Sequence, residues 1–200
     1  MAKNYTVRSR RQLAVLAAAA RQEIVDVLAA MGTVSVAELA AALDRPADSL
    51  YFHLRALVRA GLVEQAVYRR HRGRREALFR TVASELFLEY KPQSESNRRG
   101  VNAIVSSMLR LGIRDFGRAF EAGNAIVSGP RRELWALRKS ARLSLAQIEA
   151  LNSSIKRVAR EFSPSRREGR LYAVTILLTP LDHRAAKSKR STHPQGVKKP

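Results

Sequence analysis

The sequence predicts an α+β protein that is mainly α-helical, in which a helical or α+β C-terminal domain follows an N-terminal domain. Two observations carry this prediction. Up to residue 61 the chain shows helical hydrophobic periodicity, and directly after it two β-rich runs flank an arginine-rich turn. A polar stretch then separates these elements from a second apolar block. The chain has 200 residues, of which 46% are hydrophobic, so two small packed domains are possible.

The first two predicted helices are rich in alanine and leucine. They span Ser9–Ala20 and Arg21–Met31. In the second of them Ile24, Val27 and Leu28 fall on one face, and a glycine ends the helix. This spacing indicates that one face packs on a core.

A tight turn separates the third and fourth predicted helices. Ser35 and Glu38 form a capping box at the start of the third helix. The fourth runs from Pro46 to Ala60, because proline suits the first helical position, where its missing N–H needs no partner. Gly61 supplies a left-handed cap. The core side of the fourth helix consists of Leu50, Leu54 and Leu57.

Two strands, Leu62–Tyr68 and Ala77–Val82, are predicted directly after the fourth helix and are joined through Gly73. A capped helix, a tight turn, a second helix and a basic hairpin together make a winged helix-turn-helix. The second helix of such a unit fits the major groove of DNA.

The second apolar block is predicted to contain two helices. A long one spans Arg99–Ala122, and Gly129–Pro130 breaks the chain after it. A capping box at 144–147 opens another helix that runs to Phe162. Four apolar residues are expected on the inward side of that helix: Ile148, Leu151, Ile155 and Val158.

Two strands complete the second block. Glu133–Leu143 precedes the capping box and is predicted to be a strand, because the box marks a fresh start. Arg170–Thr179 is β-branched and apolar, which predicts a buried strand.

Three parts of the chain are predicted: a winged helix-turn-helix domain at 1–91, a dimerisation or effector-binding domain at 92–183, and a disordered basic tail at 184–200. The polar stretch at 91–97 is typical of a linker. The tail has six basic residues, no acidic residue and one bulky apolar group, so it cannot bury a core.

The charge of the chain indicates an anionic partner. There are 37 lysines and arginines against 17 acidic residues, a net charge of +20, and nucleic acid is the commonest partner of so basic a chain. No apolar run approaches the roughly 18 residues of a membrane span, and no signal-peptide core is present. We therefore expect a cytoplasmic, nucleoid-associated protein with no membrane contact.

Motifs of catalysis are missing from the sequence. It contains no G-x-S-x-G, no P-loop, no G-x-G-x-x-G and no cysteine. The four histidines show no ligand spacing: His53, His71, His183 and His193. We expect no enzymatic activity, no cofactor and no metal site.

The stretch Ser49–Val63 resembles the recognition-helix signature of ArsR-type winged-helix transcriptional regulators: a small polar residue, His-Leu, Leu and Ala-Gly-Leu-Val. The resemblance covers about Arg21–Val82 and implies a DNA-binding regulator. The region from Glu133 to Thr179 is similar to an extension of some members. Founding members sense metals through a Cys-x-Cys motif, and the corresponding stretch Glu38–Leu43 has no cysteine, which excludes this thiolate route.

The outward arc of the fourth helix is the predicted DNA-reading surface. Ser49 and Tyr51 can hydrogen-bond base edges or phosphates, and Arg55 can clamp a guanine, grip a phosphate or remain solvated. Phe52 either meets a thymine methyl group or packs in the core. His53 either packs and fixes the helix or touches a phosphate.

The tip of the hairpin is the second predicted contact. It has five arginines in seven residues: Arg69, Arg70, Arg72, Arg74 and Arg75. Such a tip suits the minor groove or flanking phosphates, and the alternative is a solvated basic loop.

One winged helix covers about one half-site, so a homodimer on a pseudo-palindrome is expected. The Ser9–Ala20 and Arg99–Ala122 helices are the best dimer surfaces, unless they belong to the intramolecular core. The sequence thus predicts a dimeric, sequence-specific regulator of double-stranded DNA, most simply a repressor, with an unknown effector. The alternative is a non-specific nucleoid-associated or RNA-binding protein.

Overall fold

The computed structural model describes residues 2–71, 74–162 and 169–181. The predicted tail at 184–200, His183, Gly73 and Arg72 lie outside the described residues. The elements in chain order are β1 (Ala2–Val7), α1 (Arg10–Leu16), α2 (Ala19–Met31), β2 (Val34–Ser35), α3 (Val36–Leu43), α4 (Ala47–Arg59), β3 (Val63–His71), β4 (Arg74–Thr81), β5 (Ala83–Leu88), α5 (Glu95–Glu121) and α6 (Leu145–Glu161).

The predicted helix Ser9–Ala20 is wrong in its extent, because two helices meet inside it. Ser9 caps α1, which ends at Leu16, and α2 begins at Ala19 rather than Arg21. The guanidinium of Arg21 donates to the carbonyl oxygens of Val15 and Ala14, at 2.5 and 3.3 Å. These bonds satisfy carbonyls that the end of a helix leaves unpaired, so the chain can break there.

The two helices that the sequence predicted around a tight turn are confirmed. Ser35 and Glu38 form the capping box of α3, and α4 follows with Pro46 at the N-cap instead of the first helical position. Gly61 has φ +67°, and the N–H of Leu62 donates to the carbonyl of Leu57 across it. This arrangement closes the end of α4 with a left-handed residue, as predicted.

The predicted hairpin is confirmed and is longer than expected. Strands β3 and β4 pair antiparallel from Val63 opposite Thr81 to the tip, with a register shift between Gln65 and Tyr68. The short strand β2, which the sequence did not reveal, adds to the other edge of β4. The result is a three-stranded sheet beside α2 and α4.

A second sheet was not predicted at all. Strand β1 pairs in parallel with β5, so residues 2–7 lie beside the segment that follows the hairpin. Val7 is fully buried in the core, although its neighbours Tyr5 and Thr6 are polar. The signal is absent from the local sequence because this pairing joins segments about eighty residues apart.

Helix α5 begins earlier than predicted, and its first half packs on α1 and α2. Asn97 accepts from the N–H of Lys91 and donates to the carbonyl of Glu89, which ties the stretch at 91–97 to the helix start. Val101 and Ile104 belong to the same core as the N-terminal helices. For α1 and this half of α5 the intramolecular alternative therefore holds, while the division of the chain at residue 91 stays a prediction.

The rest of the second block differs from its prediction. Neither 133–143 nor 170–179 forms a strand within the described residues, and most of their side chains are exposed, as in Trp135 at 67%, whereas the Glu133 side chain is largely covered. A β-rich segment becomes a strand only when another strand takes its backbone hydrogen bonds. Within the described residues these two segments meet through side chains instead, because Arg170 and Tyr172 both bond Glu133.

Helix α6 is present, and its capping box by Ser144 and Gln147 is confirmed. Of the four residues predicted to face inward, Ile148, Leu151 and Ile155 are half-buried and Val158 is exposed, so the described α6 contributes no side chain to a core. Helix α5 ends at Glu121, followed by Gly123 with φ +67°, so the chain leaves the helix before Gly129. Its apolar residues Phe116 and Phe120 are exposed as well.

Candidate nucleic-acid interface

Helix α4 has one face in the core and the opposite face in solvent. Leu50, Leu54 and Leu57 are almost completely buried and lock the helix against α2 and β3. On the other side, Ser49, Tyr51, Phe52 and Arg55 are all exposed. The structure thus brings these four predicted residues together on one surface.

Phe52 has two interpretations from sequence, and its position favours the outward one. Its side chain is 66% exposed, so it does not belong to the core. The ring meets His53 edge-on with centroids 5.5 Å apart. A large apolar ring in solvent at the centre of a helix face is a suitable contact for the thymine methyl group in the major groove.

His53 is half-buried at the side of α4. Its Nδ1 atom is buried and has no hydrogen-bond partner in the described structure. Partial burial lowers the pKa of His53, and the positive charges of Arg21 and Arg45 lower this pKa further. The imidazole is therefore neutral near pH 7, which favours the packing role over a charged contact with phosphate.

Ser49 and Arg59 are two further polar side chains on the exposed side of α4. The hydroxyl of Ser49 donates to the carbonyl of Pro46 at 2.7 Å, which leaves its oxygen as an acceptor. Arg59, one turn after Arg55, is exposed on the same face and was missed by the sequence analysis. Its spacing of four residues from Arg55 is the signal that could have found it.

Arg69 differs from the other arginines of the hairpin because it is already paired. Its guanidinium bonds Glu76 at 2.9 Å and Glu38 at 3.2 Å, so it ties β3 to the start of α3. Burial raises the pKa of Glu38, but the backbone N–H of Ser35 and the guanidinium of Arg69 outweigh this and lower it below its ordinary value. Arg69 thus orients the hairpin, and a DNA role for it would compete with two carboxylates.

Arg70 and Arg75 are exposed near the tip. The guanidinium of Arg75 lies 3.9 Å from the centroid of the Tyr68 ring, a cation–π contact that holds it above the sheet. With the exposed Val67, these three residues line a shallow concavity. The side chain of Arg74 and all of Arg72 are outside the described part of the chain.

Other kinds of site find little support in the described ranges. No three histidine, aspartate or glutamate side chains there come together as a metal ion would require. None of the described helices combines the length and apolarity that crossing a membrane needs.

Comparisons with known proteins bear on the same segment. The search among curated proteins finds no match for the chain. Residues 16–66, from the end of α1 through α4 into β3, match the family model of a helix-turn-helix domain. The N-terminal part of the chain is therefore a helix-turn-helix domain with a small antiparallel sheet as its wing, and a domain of this kind indicates a DNA-binding regulator.

Proposed function

We propose that this protein is an ArsR-like transcriptional repressor that binds double-stranded DNA as a homodimer at the nucleoid and acts by binding, without catalysis. Helix α4 would enter the major groove, and the hairpin of β3 and β4, the wing, would lie on the minor groove or on phosphates. The observation that carries the proposal is the exposed face of α4, which presents Tyr51, Phe52 and Arg55 from a helix locked by three buried leucines. A rigid helix with mixed apolar and guanidinium groups suits direct readout of bases.

The wing supports a second contact. Arg70 and Arg75 project from its exposed surface, and Arg69 fixes its orientation relative to α3. Guanidinium groups at a hairpin tip are attracted to the strong negative potential of a narrow minor groove. The wing would thus add affinity, while α4 supplies most of the discrimination.

The homodimer is supported by an exposed apolar seam on the second half of α5. Leu109, Ile113, Phe116 and Phe120 recur at spacings of four, three and four, and Ile113 is 74% exposed. This is the spacing at which two helices pack side by side, and the seam lies on a different side of α5 from the buried Val101 and Ile104. A second α5 would cover it.

Selection of bound sequences from a random pool of DNA duplexes tests the proposal. The full chain is mixed with the pool at roughly physiological salt and with excess competitor DNA. Recovery of an inverted repeat is the expected result, because two copies of α4 would read two half-sites. Recovery of single half-sites without an inverted partner would contradict the symmetric dimer.

A second candidate function is non-specific binding of nucleic acid, as in a nucleoid-associated or RNA-binding protein. The observation that favours it is the net charge of +20, to which residues 92–200 contribute heavily. Tight binding with a steep salt dependence and no recovered motif would establish this function instead.

A further inference from the structure

Two arginines from different parts of the chain share one carboxylate on α2. Arg45 Nη2 lies 2.6 Å from Glu23 Oε2, and Arg114 Nη2 lies 2.5 Å from Glu23 Oε1. The Glu23 side chain is only 15% exposed. Each carboxylate oxygen therefore has one guanidinium, in surroundings where an unpaired charge is costly.

The two arginines belong to elements with different tasks. Arg45 lies in the turn between α3 and α4, directly before the N-cap of the helix that faces DNA. Arg114 lies on the second half of α5 and also bonds its neighbour Asp115, at 2.6 Å. The hydrogen bond to Glu23 raises the pKa of Arg114 above its ordinary value, and the bond to Asp115 raises this pKa as well, although burial opposes both. Arg114 is thus firmly held as a cation.

Arg45 shares its surroundings with a second guanidinium, that of Arg21. Both arginines lie near His53, because the positive charges of Arg45 and Arg21 each lower the pKa of that histidine. When α4 enters the major groove, the turn before it approaches the phosphates that border the groove. A phosphodiester group there would compete with Glu23 for the guanidinium of Arg45.

Arg114 determines the free-energy cost of releasing Arg45 from Glu23. If Glu23 were bonded to Arg45 alone, releasing Arg45 would leave a half-buried carboxylate without a cationic partner, which is energetically unfavourable. Since Arg114 holds the other oxygen, Glu23 keeps a cationic partner when Arg45 leaves. The shared carboxylate therefore makes Arg45 easier to release.

We propose that Arg45 exchanges Glu23 for a DNA phosphate when the protein binds, and that Arg114 positions Glu23 to permit this exchange. The inference rests on the proposed DNA-binding function and adds a means of regulation to it. Because Arg114 is on α5, any partner or ligand that moves α5 away from α2 would leave Glu23 to Arg45 alone and weaken DNA binding.

Four variants of the full chain test the exchange: Arg45→Met, Arg114→Met, Glu23→Gln and the double variant Glu23→Gln/Arg114→Met. The measurement is the dissociation constant for one DNA duplex over a series of salt concentrations. Arg45→Met should weaken binding and flatten the log–log salt dependence by about one unit, as expected for one lost phosphate contact. Glu23→Gln should tighten binding several-fold, because Arg45 is then free for phosphate.

The decisive comparison is Arg114→Met with and without Glu23. The single variant should weaken binding several-fold, and the double variant should bind about as tightly as Glu23→Gln. Arg110→Met is the matched control, since it removes an equal charge from an exposed position of α5 that has no ion pair in the described structure. An equal loss in Arg110→Met and Arg114→Met, or a loss by Arg114→Met that persists without Glu23, would overturn the exchange.

Two further results separate the possible failures. Arg114→Lys keeps a cation beside Glu23 and should bind DNA like the unaltered chain. This variant tests the exchange even if the methionine variant does not fold. If Arg114→Lys loses as much DNA affinity as Arg114→Met, the exchange is also overturned. Failure of the unaltered chain to bind any duplex would overturn the proposed function itself, whereas a bound duplex with no coupling among these residues overturns only the exchange.

Discussion

The part of the chain up to Leu111 and the part that follows it bury their apolar residues very differently. The buried hydrophobic residues of the described chain all lie at or before Leu111, whereas most of its large exposed hydrophobic residues lie between Leu109 and Leu178. Both parts are rich in leucine, isoleucine and valine. Hydrophobic content therefore predicts a core only when the chain itself supplies the opposing surface.

The largest expected effect is the loss of a core side chain in the first part. Leu54→Ala should destabilise the fold by about 2–5 kcal/mol, because the buried leucine leaves a cavity between α4 and its neighbours. Leu145→Ala is the control from the second part, where the side chain is 85% exposed. Its unfolding free energy in urea should match that of the unaltered chain, and equal losses in both variants would remove the contrast between the two parts.

The seam on α5 gives the next effect. Ile113→Glu places a charge in the proposed contact between two copies and should weaken dimerisation by at least about 30-fold, corresponding to about 2 kcal/mol. Light scattering over a concentration series measures it. Ala103→Glu adds the same charge at an exposed position on the first half of α5 and should leave the mass unchanged. A chain that is monomeric before any substitution would contradict the dimer.

Within the first part, α4 and the wing are expected to act on different quantities. Arg55→Ala should lower discrimination between target and competitor DNA by about 1–3 kcal/mol if the guanidinium reads a base. Arg70→Ala should weaken binding to all duplexes about equally and reduce the salt slope by nearly one unit. Competition binding at two salt concentrations separates the two, and unchanged discrimination in Arg55→Ala would show that α4 does not read bases as proposed.

Arg69→Ala should behave unlike Arg70→Ala. It leaves Glu38 and Glu76 without their shared cation, so it should lower stability only slightly, as is usual for half-exposed ion pairs. Thermal unfolding measures this loss. A variant with unaltered stability and a full loss of DNA affinity would assign Arg69 to the DNA instead of to the hairpin.

The smallest expected effect is on acid stability. Because the pKa of His53 in the folded chain lies below that of a free histidine, near 6.5, the unfolded chain binds the proton more tightly. The contribution of His53 to stability is therefore present above about pH 6.5 and is lost as the pH falls through the folded-state pKa. His53→Gln should flatten the decline in urea-unfolding free energy on the acidic side, and an unchanged pH profile would contradict this origin.

The elements that the sequence predicted correctly are those with local causes. Ser35 and Glu38 are three residues apart, Gly61 ends its own helix, and the leucines of α4 follow one helical spacing. The exposed arc of α4 followed from the same spacing. Its role in DNA binding and that of the wing tip stay predictions.

The failures involve residues that are far apart in the chain. Arg69 meets Glu38, and Arg114 meets Glu23 across 91 positions, so neither pairing has a local pattern. The segments 133–143 and 170–179 have the composition of strands, but strand formation depends on a partner, which composition does not specify. Phe52 could be assigned to solvent only once the position of the sheet relative to α4 was known.

The parallel pairing of β1 with β5 sets the order in which the first part can fold. Val7 pairs with Leu88, so this contact requires the closure of a loop of about eighty residues. Contacts this distant along the chain slow folding, since a long loop must close before they form. During synthesis, residues 2–7 would therefore remain unpaired until residue 88 has left the ribosome, and the winged helix would be completed by a strand near its own N-terminus.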